Sequence, residues 1–123
     1  MDGFKEYIEE LFLYAPEEEA KTVSIKLQEQ FSQLAPDLTL QDVSRNLLVE
    51  DEMGLKDYWN QRFGASIDSH PYLLSEAVFR FRSDGTTELD ALSIRVYEVV
   101  AETMKQFDGV EYFSSFIEGA ESK

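Results

Sequence analysis

The sequence contains no cysteine, which excludes a disulfide framework, a thiol nucleophile and every cysteine-containing metal centre. Histidine occurs once, as His70, so a multi-histidine metal site is excluded as well. The three prolines, Pro16, Pro36 and Pro71, punctuate the chain singly and form no rigid tract. The six glycines stand at 3, 54, 64, 85, 109 and 119, too scattered for a phosphate-cradling loop, and no Gly-Lys-Ser/Thr sequence is present. Positive charge is scarce, with 11 Lys and Arg against 25 Asp and Glu and a formal net charge of −14. Such a surface repels a phosphate backbone and an anionic bilayer, so neither nucleic acid nor membrane is an expected partner. No apolar run approaches the ~20 residues that a membrane span requires. The opening Met1-Asp2-Gly3-Phe4-Lys5-Glu6 lacks a basic region leading into an apolar core, so no secretory signal is visible and a cytoplasmic location is expected.

What is present is apolar and aromatic. Of 123 residues 43% are hydrophobic, including nine Phe, six Tyr and one Trp, enough for one packed domain without metal or disulfide support. The most legible stretch runs from Ser75 to Ile117 as strand, helix, strand. Glu76-Ala77-Val78-Phe79-Arg80-Phe81-Arg82 alternates as a half-buried strand does, and Ser83-Asp84-Gly85 ends it. Leu89, Leu92, Val96, Val99, Thr103 and Phe107 then mark one helical face. Thr86 or Thr87 can cap that helix, and Gly109 can take the left-handed conformation beyond it. Val110 to Ile117 is rich in strand formers.

The N-terminal third is predicted to be helical. Phe4, Tyr7, Ile8, Leu11 and Phe12 or Leu13 fall at helical spacing up to Ala15-Pro16. A second helix starts at Pro16, carries Glu17, Glu18 and Glu19 in its first turn, and buries Ala20, Val23, Leu27, Phe31 and Leu34. These are two helices folded back on each other, or one kinked helix. Leu38 to Glu52 fits strand-like pieces near 38–43 and 46–50 with a turn at Asn46, although Thr39-Leu40-Gln41-Asp42 also resembles a helix start. Leu55, Tyr58, Trp59, Arg62 and Phe63 form a short amphipathic helix closed by Gly64, followed by a loop to Pro71. The expected fold is α+β: N-terminal helices plus a small mixed or antiparallel sheet packed by one long C-terminal amphipathic helix.

No stretch carries a catalytic signature. Asp68-Ser69-His70 has the residue types of a hydrolase triad, but such groups must converge from separate segments, and adjacency argues for a polar loop. Glu50-Asp51-Glu52 followed by Asp57 offers oxygen ligands without the alternating pattern and central Gly of a Ca²⁺ loop. Phe79-Arg80-Phe81-Arg82 interleaves aromatic and basic groups, yet strand alternation sends both Phe to one face, under the long helix, and both Arg to the other. No catalytic, cofactor-binding or metal-ligating residue is assigned, and no cofactor is expected. Trp, Tyr and Arg dominate binding hot spots, so Tyr58, Trp59, Arg62 and Phe63 offer an anchor; the alternative, which is favoured, is that Trp59 and Phe63 fill the core with Tyr58 and Arg62 at its edge.

The order of a strand ending Phe79-Arg80-Phe81, a long amphipathic helix, Asp108-Gly109-Val110 and a final strand resembles small acidic immunity proteins of bacterial polymorphic-toxin systems. The resemblance covers residues 71–118. It implies a cytosolic protein that binds and neutralises a cognate toxin, and it transfers no residue roles. Charge points the same way, because an acidic surface favours a basic protein partner. The expected function is therefore a non-enzymatic protein-binding inhibitor of a toxin such as a nuclease. Its candidate contacts are Glu17, Glu18, Glu19, Glu50, Asp51, Glu52, Tyr58 and Arg62. A phage- or plasmid-encoded DNA mimic blocking a host nuclease is the alternative, and a small carboxylate-dependent enzyme a third. The same charge would also serve simply to keep a soluble protein dispersed.

Overall fold

Seven elements alternate along the chain in a computed structural model that describes residues 5–34, 38–47, 54–63, 72–83, 88–107 and 109–119. They are β1 (Lys5–Pro16), α1 (Glu17–Phe31), β2 (Leu38–Leu47), α2 (Leu55–Phe63), β3 (Tyr72–Ser83), α3 (Leu89–Met104) and β4 (Glu111–Glu118). The four strands form one sheet in the order β2-β3-β1-β4, with every neighbouring pair antiparallel. Since β1 and β2 both oppose β3, they run in the same direction with β3 between them. That is the split βαβ arrangement of ferredoxin-like folds, here with α2 set into the β2–β3 connection.

The α+β class stands, but the N-terminal third begins with a strand and not a helix. The reason is that β1 is central, flanked by β3 and β4, with one face buried under the helices and apolar side chains half-buried on the other. Tyr7, Leu11, Leu13 and Ala15 are buried on one face, while Ile8, Phe12 and Tyr14 are half-buried on the other. A strand with apolar side chains on both faces loses its polar alternation, as Leu11 to Ala15 does here. Pro16 stands outside α1 as its N-cap, with φ −60° and ψ 149°, and contributes no side-chain cap.

α1 buries Ala20, Val23, Leu27 and Phe31 as its spacing predicts, and Leu34 packs partly buried beyond its end. β2 is a single strand in which Asn46 is paired, donating from Nδ2 to Glu76 Oε1 at 3.3 Å, so no turn forms there. A bulge between Leu40 and Asp42 explains why the alternation was hard to follow. The extra residue, Gln41, changes the parity so that Leu38 and Leu40 before it share a face with Val43 after it.

Phe79 and Phe81 are fully buried on the helix-covered face, and Arg80 is exposed on the other, as strand alternation requires. The two Phe rings meet Phe31 of α1 edge-on, at 5.0 and 5.3 Å between centroids, so the helix that meets them is α1 and not the long helix expected there. α3 buries Leu92, Val96, Val100, Thr103 and Met104, with Leu89, Val99 and Phe107 partly buried around them. Its N-cap is Glu88, which makes no side-chain cap; Thr86 and Thr87 lie outside the described residues. Gly109 is left-handed, φ +75°, as expected of the turn that leads into β4. The expected Gly64 closure, the Asp68-Ser69-His70 loop and the Glu50-Asp51-Glu52 run fall outside the described residues. Among the described residues no helix is long and apolar enough to cross a membrane.

Candidate functional site

The candidate residues that are described gather at one end of the sheet. β1 finishes there at Pro16, paired with Tyr72, and β4 starts there at Glu111, paired with Tyr14. α1 begins at this end, so Glu17, Glu18 and Glu19 stand in its first turn beside the positive end of the helix dipole. Glu17 and Glu18 are exposed. Glu19 is turned inward, and its Oε1 is shielded from solvent without a hydrogen-bond partner among the described residues.

α2 lies against the same end through its buried residues Leu55 and Trp59. Trp59, Tyr14 and Tyr72 form a triangle of rings with centroids 5.6, 5.2 and 4.8 Å apart. The Trp59 indole N–H donates to the Gly109 carbonyl at 2.6 Å, and the Tyr72 hydroxyl donates to the same oxygen at 2.8 Å. Two donors on one carbonyl tie α2 and β3 to the turn before β4. Gly109 is the residue this turn needs: its φ is positive, and a Cβ would stand 3.2 Å from the Tyr72 hydroxyl oxygen. Burial raises the Tyr72 phenol above its ordinary pKa, and the nearby Glu19 and Tyr14 push it the same way.

The outer side of α2 is polar, and Tyr58 projects from it with 56% of its surface exposed. Arg62 donates to Glu111 Oε1 at 2.5 Å, an ion pair joining α2 to the first residue of β4. Arg62 therefore has a structural role besides any contact role. Trp59 is in the core, as expected; the side chain of Phe63 is not among those described. The end surface thus presents the carboxylates of Glu17, Glu18 and Asp57 together with Tyr58 and the outer part of Arg62. Among the described residues no group of three or more His, Asp or Glu side chains could hold a metal ion.

Beyond α2, the face of the sheet opposite α1 and α3 carries Ile8 and Phe12 of β1 beside Ile117 and Phe113 of β4. Phe113 is 41% and Ile117 49% exposed.

Sequence reasoning missed three groups here. Tyr14 stands in a stretch whose spacing predicts a helix, Tyr72 falls between the loop that ends at Pro71 and the strand read from Ser75, and the Gly109 carbonyl is a backbone acceptor with no sequence signal. A fourth group lies on the helix-covered face. Glu9 is fully buried, cross-strand from Phe79 and Phe116, and accepts a 2.5 Å hydrogen bond from the Ser114 hydroxyl at Oε2. Its Oε1 has no hydrogen-bond partner among the described residues. Burial pushes its pKa from 4.5 up to about 8; the Ser114 bond opposes this, and Glu10 adds to it.

No family model and no curated protein matches the chain. Solved structures share its fold. A tripeptidase from Staphylococcus aureus superimposes with a TM-score of 0.56 at 9% identity, over 94% of this chain and 29% of that one. A dinuclear metal binding peptidase of the M20 family from Bacillus subtilis gives 0.54 at 9% identity, over 96% and 28%. The de novo designed protein Foldit4 gives 0.51 at 11% identity, over 94% and 99%. This chain spans less than a third of either peptidase but nearly the whole of the designed protein, and at these identities the likeness is one of fold alone.

Proposed function

We propose that the protein is a non-enzymatic, acidic protein-binding inhibitor, an immunity protein that neutralises a basic toxin such as a nuclease. The observation that carries this reading is the grouping of exposed Glu17 and Glu18 with exposed Tyr58 and Arg62 at one end of the sheet. Carboxylates there would stand where the substrate's phosphates lie on the toxin, while Tyr58 supplies the large, ordered contact that hot spots favour. The net charge of −14 adds long-range attraction to a basic partner. The mechanism is occlusion of the partner's site, accelerated by complementary potential.

Affinity purification from the native cell tests for the partner directly, and a basic toxin in the eluate is the expected result. Association with that partner should then slow steeply with salt, as the Debye length falls from ~10 Å at 0.1 M to ~3 Å at 1 M. Neutralising Glu17, Glu18, Glu50, Asp51 and Glu52 together as Gln or Asn should lower the association rate more than it alters the urea midpoint. An association rate indifferent to salt would remove electrostatic steering from the account.

A further inference from the structure

β2 is an edge strand, and α1 leans on α3, β1 and β3 more than on β2. A groove therefore opens between α1 and the strand edge, with a volume of about 470 Å³. Its helix side is formed by Lys21, Ser24, Ile25 and Gln28, which share one face of α1. Its strand side is formed by Leu40, Gln41, Asp42, Val43 and Arg45, Asp42 pairing with Arg80 and so alternating away from Val43 and Arg45. The groove continues past Gln28 to Ser32. From Lys21 to Ser32 this is roughly 16 Å of helix, the span of about five extended residues.

Three features converge on one kind of occupant. Among the described residues no further strand lies beside the backbone N–H and C=O groups of the β2 edge, which leaves a template for an added strand. The middle of the groove is apolar, with Ile25 half exposed opposite Leu40 and Val43. At the end where α1 starts and β2 finishes stand Lys21 and Arg45, both exposed. Neither is engaged in an ion pair among the described residues, so both are available to an acidic group entering that end of the groove. Lys21 and Ile25 are one α1 turn apart, about 6 Å along the axis. Alternate residues of a strand are about 6.8 Å apart, so consecutive inward side chains of an added strand would reach one and then the other.

We propose that this groove binds an extended peptide by β-strand addition, antiparallel to β2, with an acidic side chain held by Lys21 and Arg45 and an apolar side chain two residues later on Ile25, Leu40 and Val43. The order follows from direction. β2 runs towards Arg45, so an antiparallel peptide enters at the cationic end and presents its acid first; antiparallel pairing is also the more stable per residue. Backbone bonds supply affinity and the two pockets supply selectivity. The cationic end of the groove adjoins the acidic end, with Lys21 one turn of α1 from Glu17, but the peptide site does not depend on the function proposed there.

The test uses the full chain and three capped nine-residue probes sharing one Ser/Thr background, with Glu-Thr-Val, Gln-Thr-Val or Val-Thr-Glu at the centre. Titrations followed by amide NMR should place the Glu-Thr-Val shifts on Leu40–Arg45 and on the facing turns of α1. The Gln probe, lacking the charge-assisted contacts, should bind about tenfold more weakly, and the reversed probe should also be weaker. Lys21→Glu combined with Arg45→Glu should abolish the preference for the Glu probe while leaving the urea midpoint unchanged, because both side chains are exposed. No shifts up to about 1 mM, the weak end of measurable peptide binding, would overturn the proposal. So would equal affinity for the Glu and Gln probes, preference for the reversed probe, or shifts centred on β4.

Discussion

Phe81→Ala is expected to cost ~3–5 kcal/mol, a large share of the stability of a domain this size. The side chain is fully buried and connects three elements, meeting Phe31 of α1 at 5.3 Å and Phe116 of β4 at 6.1 Å. Truncation removes both ring contacts and leaves a hole that the paired strands cannot close, because their register fixes the backbone around it. In urea the midpoint should fall with the slope unchanged. Ile117→Ala provides the internal control: Ile117 is half exposed, so its loss should be a small fraction of that. A Phe81→Ala loss below ~1 kcal/mol would mean that the ring is not part of the core.

The second large effect is a dependence on pH. Glu9 holds its proton up to about pH 8 in the folded chain but releases it near 4.5 when unfolded. The folded state therefore binds more protons than the unfolded state between those values. Stability from this group is complete below about 4.5, is lost as pH rises through the window, and falls no further above about 8. Each pH unit inside the window carries at most ~1.4 kcal/mol, which makes the full change roughly 3–5 kcal/mol. Glu9→Gln keeps an acceptor for the Ser114 hydroxyl and cannot ionise. Urea midpoints at pH 5 and pH 8 should differ strongly for the native chain and much less for the variant, and the variant should be the more stable at pH 8. Parallel profiles for the two chains would place the titrating group elsewhere.

The parts of the fold that were legible in the sequence are those with a single buried face. β3 and α3 each show one apolar stripe against a polar one, and their residues fall where the periods place them. β1 was illegible for a physical reason. Ile8, Phe12 and Tyr14 are packed on one side and Tyr7, Leu11 and Leu13 on the other, so its run satisfies a helical template as well as a strand. β2 was obscured by Gln41, since one inserted residue is enough to break a period of two. At the site, Tyr58, Trp59 and Arg62 were visible because one short helix carries all three. Tyr14, Tyr72 and the Gly109 carbonyl come from three separate segments, and only the sheet register brings them together. Glu9 could not have been found at all, since an acid between Ile8 and Glu10 resembles solvated surface until β3, β4 and the helices close over it.

The central place of β1 also sets the order of events during synthesis. Of the seven elements β1 is made before the others, and it pairs on one side with β3 and on the other with β4, the last of the seven. All seven elements must be made before β1 has both neighbours, and the closures are long-range ones, which slow folding relative to local hairpins. Until then Leu11 and Leu13, buried in the finished domain, lie on a nascent strand with two open edges. The interval before β4 arrives is when this chain is most exposed to aggregation and to chaperones, and the acidic residues flanking and interrupting β1, Glu6, Glu9, Glu10 and Glu17 to Glu19, are placed to keep it dispersed through that interval.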